Sequence, residues 1–204
     1  MKLVVISPED NDPRETGVLG ELFSAGLQRY HVRKPGWSRE RLDDWLGGLP
    51  RDWRARLVLH QHHDLVARHG LGGRHWRDDG SAPLAPASDG KLTSRSCHDL
   101  PTLRAALGSF NAVFFGPFFP SLSKPGRGPR EDVSFPIVAA LLAARPASER
   151  RTSVLALGGI TVETAPHALA LGCDGVAVLG AIWQATDPLR AYSELQTSLV
   201  CHAA

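Results

Sequence analysis

Val154-Leu155-Ala156-Leu157-Gly158-Gly159-Ile160-Thr161, rejoined at Val176-Ala177-Val178-Leu179-Gly180, is the stretch that decides the fold. Two short aliphatic runs flank a helix predicted from Thr161, and strands joined through one helix form a βαβ unit with parallel strands. The same unit opens the chain. Leu3-Val4-Val5-Ile6 is short, continuous and β-branched, as suits a strand buried on both faces, and Ser7-Pro8 ends it. Residues 14–26 place Val18, Leu19, Leu22 and Phe23 at near-helical spacing, with Gly26 closing the helix before the strand-like Tyr30-His31-Val32-Arg33.

Between these ends the alternation repeats. A helix over 38–48, a strand Leu57-Val58-Leu59, a short helix over 63–69 and a strand Arg74-His75-Trp76 come next. Residues 77–90 hold two prolines and two glycines and read as a loop, so the fourth crossover lacks a proper helix. Leu92-Thr93-Ser94-Arg95-Ser96 resumes the pattern, Asp99 is the N-cap of a helix, and Ala112-Val113-Phe114-Phe115 is a sixth strand. A loop over 117–133, a helix over 134–144 and a C-terminal helix after Asp187 complete the chain. Eight strands alternating with about seven helices predict an α/β fold, a single compact (β/α)8 TIM barrel over 1–204 with a degraded fourth crossover helix. An open doubly wound sheet is the alternative on pattern alone. At 204 residues the chain is short beside the ~250 typical of such barrels.

Composition narrows the function. With 43% hydrophobic and 22% charged residues the chain has material for a sizeable core and too little charge for disorder. The 23 basic residues are interspersed with 21 acidic ones for a net charge of +2, so no nucleic-acid or membrane surface is expected, and the partner is a small molecule or a protein. No apolar run approaches the ~20 residues of a membrane span, and the start is too short for a signal peptide. Cys97, Cys173 and Cys201 lack metal-like spacing and read as free thiols, in keeping with a cytoplasmic location. Lysine is scarce: Lys2, Lys34, Lys91 and Lys124 leave 19 arginines among the 23 basic residues.

In a barrel of this kind chemistry sits at the C-terminal ends of the strands. Those positions are polar here: His31, Arg33 and Lys34 after strand two, His60, Gln61, His62 and His63 after strand three, and Ser96 and His98 after strand five. Gly158-Gly159 ahead of a helix lets backbone N–H groups approach an anion at its positive end, and Leu179-Gly180 after strand eight supplies the second half of such a site. A tight strand-to-helix turn explains the same glycines without a ligand.

In this order, Tyr30-His31-Val32-Arg33-Lys34, Ser96-Cys97-His98, Gly116-Pro117-Phe118-Phe119-Pro120-Ser121-Leu122-Ser123-Lys124, Leu157-Gly158-Gly159-Ile160 and Asp174-Gly175-Val176-Ala177-Val178 resemble the thiamine phosphate synthase and TenI superfamily over about residues 3–183. The resemblance implies a TIM barrel, a thiazole phosphate as small-molecule partner, a place in thiamin biosynthesis and a homodimer. It implies either of two chemistries. Thiamine phosphate synthase joins hydroxymethylpyrimidine diphosphate to thiazole phosphate with Mg²⁺ held by two aspartates. The thiazole tautomerase moves a proton on a thiazole carboxylate phosphate, requires no cofactor and relies on a histidine.

The departures favour the tautomerase as the expected reaction. Where the synthase pattern has Asn-Asp after strand three this chain has His60-Gln61, and a second acid falls only near Asp78, Asp79 and Gly80. Glutamine is a poor replacement for a carboxylate on Mg²⁺, so no metal ligand is assigned. The Arg-Glu-Lys that usually ends strand two is Arg33-Lys34-Pro35. His98, in parity with Ser94 and Ser96, is the candidate acid/base, since an imidazole near neutrality can remove a proton at one ring atom and return it at another. A helix-start histidine with a structural hydrogen bond is the plainer reading. His31, Arg33, Lys34, Gln61, Ser96, Gly158, Gly159, Leu179 and Gly180 are the expected substrate and phosphate contacts, with Ser121, Ser123 and Lys124 on a mobile lid. A regulatory binder of a thiamin-pathway phosphate is the non-catalytic alternative. The histidines at 60, 62, 63 and 75 suit a transition-metal site or, more plainly, line a polar pocket mouth. Phe118, Phe119 and Trp76 serve as walls for a heteroaromatic ring or as simple packing.

Overall fold

The computed structural model describes residues 3–83, 89–120, 128 and 134–201. Strands β1 (Leu3–Ile6), β2 (Tyr30–Val32), β3 (Leu57–Leu59), β4 (Gly73–Trp76), β5 (Leu92–Cys97), β6 (Ala112–Phe115), β7 (Ser153–Leu157) and β8 (Gly175–Val178) form a closed parallel barrel in chain order. Closure excludes the open sheet. Leu3, Val4 and Val5 pair with Val176, Ala177 and Val178, so the first and last strands share a ladder.

Helices α1 (Glu15–Ser24), α2 (Arg39–Gly48), α3 (Leu65–His69), α4 (Leu100–Ala106), α5 (Phe135–Ala143), α6 (Ala147–Arg150), α7 (Ala165–Ala170), α8 (Gly180–Trp183) and α9 (Pro188–Cys201) occupy the connections. Asp99 caps α4 as its sequence predicts, its carboxylate accepting from Thr102 N at 2.8 Å. Ser38 does the same for α2. Helices α6 and α8 go beyond the sequence reading, because four residues are too few to leave a periodic apolar signal. Between β4 and β5 no helix occurs among the described residues, which matches the degraded crossover. No helix among the described residues is long and apolar enough to cross a membrane.

Strand alternation separates two cores. Leu3, Val5, Tyr30, Val32, Leu57, Leu59, Val113 and Phe115 face the helices, whereas Val4, Ile6, Phe114, Leu155 and Ala177 cluster inside the barrel. Both faces of these short strands are buried, as their unbroken apolar runs require.

The outer layer carries one buried charge pair. Lys34 and Glu15 are fully shielded and joined Nζ to Oε2 at 2.5 Å, while the Tyr30 hydroxyl donates to Glu15 Oε1 at 2.8 Å. Two buried ions are costly unless paired and hydrogen-bonded, and removing one strands the other. Lys34→Met is therefore expected to lose about 3–5 kcal/mol of unfolding free energy, and Lys34→Met with Glu15→Leu to recover most of it. Urea denaturation of the two variants measures this, and equal losses would contradict it.

Candidate functional site

The strand-end rule leads to a cavity of about 480 Å³ at the C-terminal mouth of the barrel, within the range of small-molecule sites. Arg33, Ser96, His98, Gly158, Gly159, Leu179 and Gly180 all line it, as expected from the sequence. Glu9, past β1, and Arg77, past β4, line it too and are absent from the expected contacts; the strand-end rule applied to β1, and to the residue before Asp78, reaches both.

The two glycine loops are built differently from one another. Gly158 (φ +91°) and Gly159 (φ +63°) occupy left-handed conformations, and a Cβ on Gly159 would strike Pro120 O and Phe119. The backbone between β6 and α5 lies against them: Phe118 N donates to Leu157 O at 2.9 Å and Phe119 N to Gly158 O at 3.1 Å. The pair does not open directly into a helix, as the sequence suggests. A turn pinned by Thr161 and Thr164 intervenes before α7, with Thr161 N donating to Thr164 Oγ1 at 2.8 Å. On the other side Leu179 is the N-cap of α8, so Gly180 and Ala181 present first-turn N–H groups, which have no intrahelical acceptors, beside the cavity.

His98 is exposed at the cavity rim, just past β5. Its Nδ1 lies 2.6 Å from Gly116 O, a group that only accepts, so Nδ1 carries the proton and Nε2 is the basic nitrogen of the neutral ring. Asp78 fixes the backbone here, accepting from His98 N at 3.0 Å and from Arg95 at 3.0 Å. Arg33 pairs with Glu9 at 2.6 Å, a half-exposed contact that an incoming anion can exchange.

Three expected contacts are placed elsewhere. Lys34 is fully buried and spends its three protons on Pro8 O, Asp10 O and Glu15, which leaves no donor for a ligand. His31 points into the barrel below the cavity. Gln61 lines a neighbouring cleft with His62, His63 and Trp76, its Nε2 donating to Lys34 O. Ser121, Ser123 and Lys124 lie outside the described residues. Phe119 and Trp76 pack against the outer core, and Phe118 is buried in it.

The donors near the mouth do not fit a two-carboxylate Mg²⁺ site. Gln61 offers an amide from the neighbouring cleft, Glu9 is paired with Arg33, Asp78 is committed to Arg95 and His98 N, and Asp79 lines the cavity with its carboxylate accepting from Ser81 N. Mg²⁺ is held chiefly by carboxylate and phosphate oxygen and water.

Inside the barrel, His31, His60 and His75 pack against Phe114. His31 Nδ1 lies 3.0 Å from His60 Nε2, and the His60 and His75 rings stack at 4.0 Å. Burial lowers the His31 pKa from 6.5 to about 3 and, with the neighbouring imidazoles, holds His60 and His75 well below the usual histidine range. The folded protein thus keeps these rings neutral while the unfolded chain protonates them below about pH 6.5. Stability of the metal-free protein is expected to fall with pH from about 6.5 downward, by up to about 1.4 kcal/mol per pH unit for each ring. Urea midpoints between about pH 7 and about pH 5 test this against His75→Gln, which should show a shallower fall.

A family model described as TMP-TENI, thiamine monophosphate synthase, matches residues 3–182. The thiamine-phosphate synthase of Methylobacillus flagellatus is 32% identical over 194 residues, covering 91% of this chain and 88% of that protein. That of Thiobacillus denitrificans is 34% identical over 158 residues, covering 74% and 70%. Among solved structures, thiamine phosphate pyrophosphorylases from Bacteroides thetaiotaomicron and Pyrococcus furiosus each give a TM-score of 0.78 at 22% and 20% identity, covering 97% and 100% of this chain and 97% of each of theirs. At that identity the structural likeness is one of fold. The match across nearly the whole chain, with relatives above 30% identity, makes this protein a member of the thiamine monophosphate synthase family.

Proposed function

We propose that the chain acts as a transferase of thiamin biosynthesis, condensing hydroxymethylpyrimidine diphosphate with thiazole phosphate. This reading replaces the tautomerase as the leading one because the relatives that cover most of the chain are named thiamine-phosphate synthases. The observation that carries it is a cavity lined by two arginines, Arg33 and Arg77, and by two glycine turns. In an eight-strand barrel β4 stands opposite β8, so Arg77 faces the Leu179–Gly180 turn across the cavity, with Arg33 and Gly158–Gly159 between them on the rim. A condensation needs two phosphorylated substrates held together, and a one-substrate proton shift does not.

In this reading the thiazole phosphate rests on the glycine turns, where backbone N–H groups meet its charge. The diphosphate lies toward Arg77 and Arg33, whose planar guanidinium groups suit phosphate oxygens. The thiazole nitrogen forms a bond to the pyrimidine methylene carbon as the carbon–oxygen bond to diphosphate breaks, and the arginines stabilise the departing anion. Apolar Ile6, Phe114, Leu157 and Ala177 at the cavity base keep water from competing for that carbon.

Formation of thiamin phosphate from the two precursors at saturating Mg²⁺ tests the assignment. Arg77→Ala is expected to raise KM for the diphosphate substrate about tenfold to a hundredfold, with KM for thiazole phosphate little changed. An equal rise for both substrates would remove Arg77 from this role.

The thiazole tautomerase is the second reading, favoured by His98 with its fixed Nδ1–H and by the amide of Gln61. Absence of condensation together with tautomer conversion that His98→Ala abolishes would move the assignment there.

A further inference from the structure

We propose that His31, His60 and His75 form a binding site for one divalent transition-metal ion, Zn²⁺ foremost, in the barrel interior beneath the cavity. The three side chains come from the interiors or ends of β2, β3 and β4, and each offers a ring nitrogen within 4.8 Å of the other two. All three are buried.

Two further observations bear on a cation at this place. His31 Nε2 is buried without a hydrogen-bond partner, a cost that a hydrogen-bonded histidine cluster would avoid. His75 is oriented from both sides, Nδ1 lying 2.9 Å from Ser94 Oγ and Nε2 3.0 Å from Ser96 Oγ. A neutral imidazole has one N–H, so one serine accepts and the other donates; the nitrogen facing the donating serine is available to an ion once that hydroxyl turns.

The donor set selects the metal class. Three imidazoles suit Zn²⁺, Ni²⁺ or Cu²⁺ and are a poor set for Mg²⁺, which takes oxygen. This imidazole set lies beneath the carboxylates Glu9, Asp78 and Asp79 that line the mouth and does not depend on the proposed transferase reading. Three protein ligands leave a further coordination position, and because His60 also lines the cavity, that position is within reach of an oxygen ligand entering from the mouth. His63 is turned away, its Nε2 donating to the His75 carbonyl at 3.1 Å.

Chelator-stripped full-length protein titrated with Co²⁺ and then Zn²⁺ tests the proposal. One equivalent per chain is expected, with visible absorption of low-coordinate Co²⁺ that Zn²⁺ extinguishes. His31→Gln, His60→Gln and His75→Gln should each weaken binding by more than the roughly 10–100-fold that loss of a supporting hydrogen bond costs, while His62→Gln leaves it unchanged. A measurement on the wild type covers variants that fail to fold. With histidine ring nitrogens labelled, Zn²⁺ should displace the resonances of three of the nine histidines. No stoichiometric binding, undiminished binding by cooperatively folding triad variants, or resonance shifts on other histidines would overturn it.

Discussion

The hydrogen-bonded pairing of β1 with β8 is the constraint on which the rest of the molecule depends. It joins the two ends of the alternating chain, and in doing so brings the residues after every strand around one mouth. Arg33, Arg77, His98, Gly158 and Gly180 are far apart in sequence and share a cavity only because the sheet closes. Closure also creates a buried interior beneath the mouth, and this interior is of two kinds. One side is aliphatic and aromatic, with Val4, Ile6, Leu155 and Ala177 around Phe114. The other is made of imidazoles and serine hydroxyls, which are stable there only because they face one another.

Membership of the family and departure from its pattern are visible together. The closed barrel follows the resemblance, whereas two of the contacts it implies, Lys34 and Gln61, are placed away from the cavity. These departures cluster on β2 and β3, the same strands that supply His31 and His60. The interior of this sector is polar through its imidazoles.

Much of this was legible in the residues and some was not, for identifiable reasons. Every strand could be read because each is a short aliphatic or mixed run between turn residues, and Asp99 announced its helix by capping chemistry. The facing of His31 could not be read, because when both faces of a three-residue strand are buried, alternation does not say which face is the barrel's inside. Lys34 looked like a ligand contact at a strand end; its partner Glu15 lies 19 positions away on α1, and only tertiary packing joins them. The Gly158–Gly159 turn was legible from its residues, but the Thr161–Thr164 turn that follows delays the helix by a local hydrogen bond that periodicity does not register.

The contact between the segment after β6 and the Gly158–Gly159 turn has a consequence for recognition. Because Phe118 and Phe119 donate to Leu157 and Gly158, the two loops are one rigid unit, and the left-handed glycines are held in shape whether or not an anion is present. The conformational entropy of that surface is surrendered once, on folding, and is not charged again at each encounter. Under the proposed function, a phosphate arriving there would meet a preorganised cradle, so its affinity would reflect the contacts themselves rather than what remains after ordering a loop.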